Sequence, residues 1–143
     1  MGSDKIWLFD TTLRDGGQTR GVDFSRADKV AIAHALDDIG IDYIEAGWPG
    51  ANPTDDAFFA KPPKMKNAKL VSFGMTRRGG RSTANDPGLS AVIDAEVDVS
   101  CIVGKTWDFH VKTALNTTLD ENLEMIRQSL IAAADRGREP MFD

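Results

Sequence analysis

The sequence predicts an α/β fold of about four βα units with parallel strands, and three observations carry the prediction. Short apolar runs recur along the 143 residues, and each ends in a polar, glycine-bearing loop. The segments between those runs have helical apolar spacing and recognisable caps. Near-continuous apolar strands separated by helices imply a parallel sheet with both faces covered. Four such units are half of an eight-stranded (β/α) barrel, which needs about 250 residues. A four-stranded open sheet is the alternative, and it needs a reversal of strand order to create a binding crevice.

The first strand is expected over Lys5 to Phe9, breaking into Asp10-Thr11-Thr12-Leu13-Arg14-Asp15-Gly16-Gly17-Gln18. Ser25 suits an N-cap, and Ala27, Val30, Ile32, Ala33, Ala35 and Leu36 give helical spacing to about Ile39. Gly40 is the stop, because it tolerates left-handed dihedrals. The second strand follows at Ile41 to Ala46, so the helix is a crossover between parallel strands. Pro53 and Thr54 begin a short helix, with Asp55 and Asp56 in the first turn, Phe58 and Phe59 as its apolar side, and Pro62-Pro63 beyond its end. The third strand is Lys69 to Phe73 and 81–88 is loop. Leu89 to Ala95 is a short helix, and Val97 to Val103 is the fourth strand. The remainder reads as one long helix capped by Asn116 or Thr118, with Leu119, Leu123, Ile126, Leu130 and Ala133 as its stripe and Gly137 as its end. Arg138 to Asp143 reads as the lead into a further strand that does not arrive.

Composition narrows the function classes. A net charge of -5, with no basic stripe beyond Arg77, Arg78 and Arg81, argues against a nucleic-acid partner. No apolar stretch approaches the ~18 residues of a membrane span, and the opening MGSDKIW has no secretory h-region, so the cytoplasm is expected. The single cysteine, Cys101, lies in an apolar run and reads as a small buried hydrophobe. Gly104-Lys105-Thr106 lacks the upstream glycine of a phosphate-binding loop, since position 99 is Val99, and Gly16-Gly17 lacks dinucleotide spacing.

The loops after successive strands should share one face. They bring Arg14, Asp15 and Gln18 from the first, Glu45 from the second, Thr76 and Arg77 from the third, and Lys105, Asp108 and His110 from the fourth. Asp15 is a hard oxygen ligand suited to Mg²⁺, Mn²⁺ or Zn²⁺. Arg14 beside it could stabilise negative charge developing on a substrate oxygen. Glu45 reads either as the carboxylate that holds Arg14 or as half of a simple structural ion pair. His34 falls inside the first helix and reads as structural or solvent-facing.

Phe9 to Gln18 (FDTTLRDGGQ) and Asp42 to Gly50 (DYIEAGWPG) resemble the barrel enzymes comprising 2-isopropylmalate, homocitrate and citramalate synthases and hydroxymethylglutaryl-CoA lyase. Gly47 to Asn52, Phe73 to Arg78 and Gly104 to Val111 are similar to the citramalate synthase-like branch, and the resemblance runs from about Trp7 to Ile131. It implies a partial TIM (β/α)8 barrel, with residues 1–143 as the N-terminal half of a pyruvate-carboxyltransferase-like catalytic domain, truncated.

The implied activity is a divalent-metal-dependent condensation of acetyl-CoA with a 2-oxo acid, pyruvate in the citramalate case. Asp15 would be a metal ligand, and the catalytic pair would be Arg14, stabilising oxygen charge, and Glu45, fixing Arg14. Gln18 at the rim and Thr76, Arg77, Asp108 and His110 at the mouth would be candidate cofactor-binding residues. The family completes its metal site with an H-x-H pair near strand seven, which this chain lacks. The expectation is therefore an inactive piece that self-associates across its open edges, and a homodimer for the full-length enzyme. Other 2-oxo acids, the lyase direction and a non-catalytic oligomerising fragment are the alternatives.

Overall fold

The computed structural model describes residues 5–143, so Met1 to Asp4, which enter the targeting expectation, lie outside it. Five strands, β1 (Phe9–Asp10), β2 (Tyr43–Gly47), β3 (Lys69–Met75), β4 (Val99–Val103) and β5 (Glu139–Phe142), form one sheet in sequential order. Every neighbouring pair is parallel. The crossovers carry α1 (Arg26–Asp38), α2 (Pro53–Phe59), α3 (Pro87–Asp94), α4 (Asp108–Thr113) and α5 (Leu119–Asp135). The strand order never reverses, so the open-sheet alternative has no crevice of its own, and the architecture is that of a partial (β/α) barrel.

Alternation along the strands divides the interior into two layers. Ile44, Ala46, Leu70 and Ile102 point to the helices, where they meet Ala33, Phe58, Leu89, Val92, Ile93 and Ala133. Tyr43, Val71, Phe73, Val99 and Cys101 form the opposite layer, with Trp48, Val103 and Met141 packed against it. Helix ends follow the local chemistry. Ser25 and Asp28 exchange hydrogen bonds in a capping box, and Gly40 takes φ +89 just past α1. Asn52 caps α2 and Asp86 caps α3.

Beyond shifts of one or two residues at the ends of β2, β3 and β4, the structure differs from the sequence-based expectation at four places. The first strand is only two residues, because Leu8 N donates to the Asp42 side chain and Ile6, Trp7 and Leu8 are exposed. Helix α3 begins at Pro87 rather than Leu89, and a 3-10 turn over Thr83–Asn85 occupies the preceding loop. A short helix, α4, precedes the expected final helix and ends before Asn116, which adopts φ +49; Thr118 is the cap of that final helix, α5. Its buried stripe is Asn122, Met125, Ser129 and Ala133, while Leu119 and Leu123 are exposed. Finally, the fifth strand does arrive, pairing Val99 to Ile102 with Glu139 to Phe142.

One tie locks the end of α1 to the start of β3. The Asp37 carboxylate, 1% exposed, accepts the backbone N–H groups of Lys66, Asn67 and Ala68 at 2.6, 2.9 and 2.7 Å. Burial pushes its pKa up, but the three backbone donors outweigh burial and hold it below the ordinary 3.8. An aspartate depressed in the folded state stabilises the fold above its ordinary pKa and loses that contribution as pH falls through the folded value. Asp37→Asn should therefore lower the urea midpoint at pH 7 and flatten its dependence on pH below about 4. A variant with the wild-type acid limb would contradict this account.

Candidate active site

The loop after β1 is a tight turn in which the N–H groups of Arg14, Asp15 and Gly16 all donate to Thr11 O, at 3.2, 2.8 and 3.1 Å. Leu13, 1% exposed, anchors the turn in the helix-side core. A 3-10 turn over Gly16–Gln18 follows.

Arg14 reaches the next strand. Its Nε donates to Glu45 Oε2 at 2.5 Å, and its guanidinium lies over the Phe73 ring, 4.0 Å from the centroid. Nη1 stands 3.5 Å from Asp15 Oδ1, so Arg14, Asp15 and Glu45 converge at the carboxyl ends of β1 and β2. Phe73 is in turn met edge-on by Trp48, at 5.6 Å between centroids.

Glu45 is 1% exposed, and its environment pulls in two directions. Burial raises its pKa above the ordinary 4.5, the bond and charge of Arg14 oppose that rise, and Asp143 and Asp15 add to it. The net shift is upward. Cys101, in the same layer, has its thiol pushed up to about 12, chiefly by burial and then by Glu45 and Asp143, which keeps the free thiol protonated at neutral pH.

Asp15 is open to solvent, with its side chain 65% exposed, and Arg14 is its ion-pair partner. A hard carboxylate so placed fits one ligand position of a divalent cation. No group of three or more His, Cys, Asp or Glu among the described residues could complete such a site.

The other predicted residues divide by position. Gln18 and Arg14 line a cavity of about 280 Å³ together with Lys29, Trp48 and Asp55. Thr76 and Arg77 border a second cavity of about 690 Å³, with Trp48, Met75 and Leu115 also in its walls. Trp48 is common to both. The Arg77 guanidinium turns to α5, where Nε donates to Gln128 at 2.7 Å and Nη1 to Glu121 at 2.8 Å. Asp108 and His110 are exposed on α4. Asp108 pairs with Lys112, whose hydrogen bond lowers its pKa, and His110 packs against Trp107 at 4.6 Å between ring centroids. His34 is exposed on α1.

Sequence reasoning missed Phe73 and Trp48 as supports for Arg14, and missed the buried Lys29–Asp55 pair altogether. The signal for Lys29 was present. Positions 29, 33 and 37 recur at the spacing of one helix face, and all three are buried.

The HMGL-like family matches residues 5–142. The chain belongs to that family. It is 54% identical over 143 residues to an (R)-citramalate synthase of Aquifex aeolicus, a match that takes in 99% of this chain and 27% of the relative. An (R)-citramalate synthase of Streptomyces coelicolor is 47% identical, with 98% of this chain and 27% of the relative covered. The fold is shared with the hydroxymethylglutaryl-CoA lyase of Pseudomonas aeruginosa, at a TM-score of 0.73 and 19% identity over 96% of this chain and 45% of that one. An HMG-CoA lyase of Acinetobacter baumannii in complex with coenzyme A and 3-methylmalate matches at a TM-score of 0.67 and 14% identity, over 95% of this chain and 43% of that one. This HMGL-like chain thus spans about a quarter of the length of these curated synthases and under half of the lyase chains.

Arg14→Ala leaves Glu45 buried without its cation, which should cost about 3 kcal/mol at pH 7. The sign with pH is opposite to that of Asp37. A carboxyl whose folded pKa is raised opposes folding above that value, and the opposition fades as pH falls below the ordinary value. The deficit of Arg14→Ala relative to wild type should therefore shrink between pH 7 and pH 5. Urea midpoints at the two pH values measure it, and an equal deficit at both would rule the explanation out.

Proposed function

We propose that the protein carrying this chain condenses acetyl-CoA with a 2-oxo acid, pyruvate first among them. With water the products are (R)-citramalate, CoA and a proton. The observation that carries the reading is the convergence of Arg14, Asp15 and Glu45 at the strand ends. The synthases that are about half identical to this chain supply the substrate class.

The chain's own residues account for part of such a reaction. Glu45, buried and bonded to Nε, holds the Arg14 guanidinium in one orientation. Phe73 supports its flat face from beneath. Arg14 can then donate to an oxygen on which negative charge develops, in a site whose dipoles are already arranged. A divalent cation (Mn²⁺, Mg²⁺ or Zn²⁺), when bound, would polarise the carbonyl of the 2-oxo acid, and Asp15 would be one of its ligands.

In this reading residues 1–143 form the N-terminal half of the catalytic barrel. The other ligands and the acid/base group come from the part of the synthases that this chain does not span. The stretch alone does not turn over and associates through its open sheet edges, while the complete protein is a homodimer of the cytoplasm. Among the described residues no helix is long and apolar enough to cross a membrane.

The test is CoA release from acetyl-CoA by the complete gene product with pyruvate, 2-oxoisovalerate and 2-oxoglutarate, with and without Mn²⁺. Pyruvate with Mn²⁺ should be the best combination. Arg14→Ala should reduce kcat by about 10²–10³-fold. Asp15→Asn should raise the Mn²⁺ concentration needed for half-maximal rate. Metal-independent turnover, or full activity in Arg14→Ala, would overturn the assignment.

A further inference from the structure

The carboxyl end of β2 contains an irregularity that the proposed chemistry does not explain. Glu45 pairs with Val71 and Gly47 pairs with Ser72, so one residue of β2, Ala46, is extra. Such a bulge bends the strand and re-aims the side chains beside it. It lies between two residues that bear on Arg14. Glu45 holds the guanidinium directly, and Trp48 packs on the Phe73 ring beneath it.

Backbone groups on both sides of Gly47 are bound from the helix side by one ion pair. Lys29 of α1, 4% exposed, donates to Ala46 O at 3.0 Å and to Asp55. Asp55 of α2, 6% exposed, accepts Trp48 N–H at 2.9 Å and Asn52 Nδ2 at 2.9 Å through its other oxygen. Gly47 itself takes φ +151, and a Cβ there would stand 2.6 Å from the Asp55 carboxylate. Only glycine fits between the pair and the bulge.

Buried ion pairs are a poor route to stability, since apolar residues of similar volume serve as well or better. What an apolar pair cannot do is satisfy a carbonyl and an N–H that a bulge has turned away from the ladder. We propose that Lys29 and Asp55 are positioning residues for the reaction: they fix the Ala46 bulge, and thereby set Glu45 on one side and Trp48 on the other around Arg14. The proposal rests on the condensing activity argued above, and neither residue touches the reacting atoms in it.

The experiment compares two paired replacements in the complete gene product. Lys29→Met with Asp55→Asn removes both charges and keeps an acceptor for Trp48 N–H. Lys29→Met with Asp55→Leu removes the acceptor as well. Thermal melting, steady-state CoA release and hydrogen exchange of the 45–50 backbone are measured on each.

The Met/Asn pair leaves the Ala46 carbonyl without its Lys29 donor, so it should keep exchange protection at Trp48 yet lose about threefold or more in kcat, with the KM for acetyl-CoA unchanged. The Met/Leu pair should melt no lower than the Met/Asn pair, yet lose that protection and at least about tenfold in kcat, with the KM for acetyl-CoA unchanged. A purely structural pair predicts instead that activity follows melting. Wild-type turnover in either protein overturns the proposal. The Met/Asn protein decides the matter even where the Met/Leu protein does not fold. If wild type itself releases no CoA, the condensing activity fails, and retained Trp48 protection in the Met/Leu protein then separately refutes the grip on the bulge.

Discussion

A carboxylate at the end of a fully buried strand needs a partner, and Glu45 finds its partner in Arg14, delivered by the turn after β1. That requirement organises much of the local structure. β1 has only two residues of ladder with β2, so the ladder alone is a weak hold on the turn. Leu13 seated in the helix-side core and Arg14 bonded to Glu45 hold the turn from opposite faces of the sheet. Phe73 then supplies the surface on which the guanidinium lies, bringing β3 into the same contact. Three successive strand ends are coupled through one cation.

The crossovers make this coupling repeatable. Parallel neighbours cannot be joined by a tight turn, so each strand hands the chain to a loop on one face before a helix returns it. Asp37 serves the opposite end of the sheet, where it receives three N–H groups from the segment entering β3. The two buried carboxylates therefore respond differently to acid. Asp37 is surrounded by fixed donors and prefers its charge, whereas Glu45 depends on one guanidinium to offset burial. The scaffold side is built for permanence, and the loop side keeps one tunable group.

Much of this was legible in the sequence because local chemistry decided it. The Ser25 cap, the Gly40 stop and the Pro53-Thr54 helix start are each set by a side chain or a dihedral that needs no distant partner. The convergence of Arg14, Asp15 and Glu45 followed from strand ends sharing a face. What escaped depended on partners far along the chain. Ile6 to Leu8 look like strand, yet the Leu8 N–H goes to the Asp42 side chain instead of a ladder partner. Leu119 and Leu123 look like a core stripe, yet α5 turns Asn122 and Ser129 inward, where they bond the Lys105 carbonyl and the Arg77 amide. Lys29 reads as a charge on a helix until α2 places Asp55 against it.

Arg14 and Arg77 are alike in residue type and position, and the fold holds them differently. Both follow a strand, both are mostly buried, and both meet a glutamate. Arg77 is bound through Nε and Nη1 to α5 and to the Arg78 carbonyl, and its backbone N–H is held by Ser129. Its geometry joins the β3 loop to a helix 44 residues further along the chain at Glu121. Arg14 is held along one edge by Glu45 and supported on one face by Phe73, and it still borders the cavity of about 280 Å³. A guanidinium fixed on one side and facing a cavity on another can act on a ligand. Arg77 borders the larger cavity too, but with three protein partners on its guanidinium. That distinction lies in the partners of each nitrogen, which only the folded chain brings together.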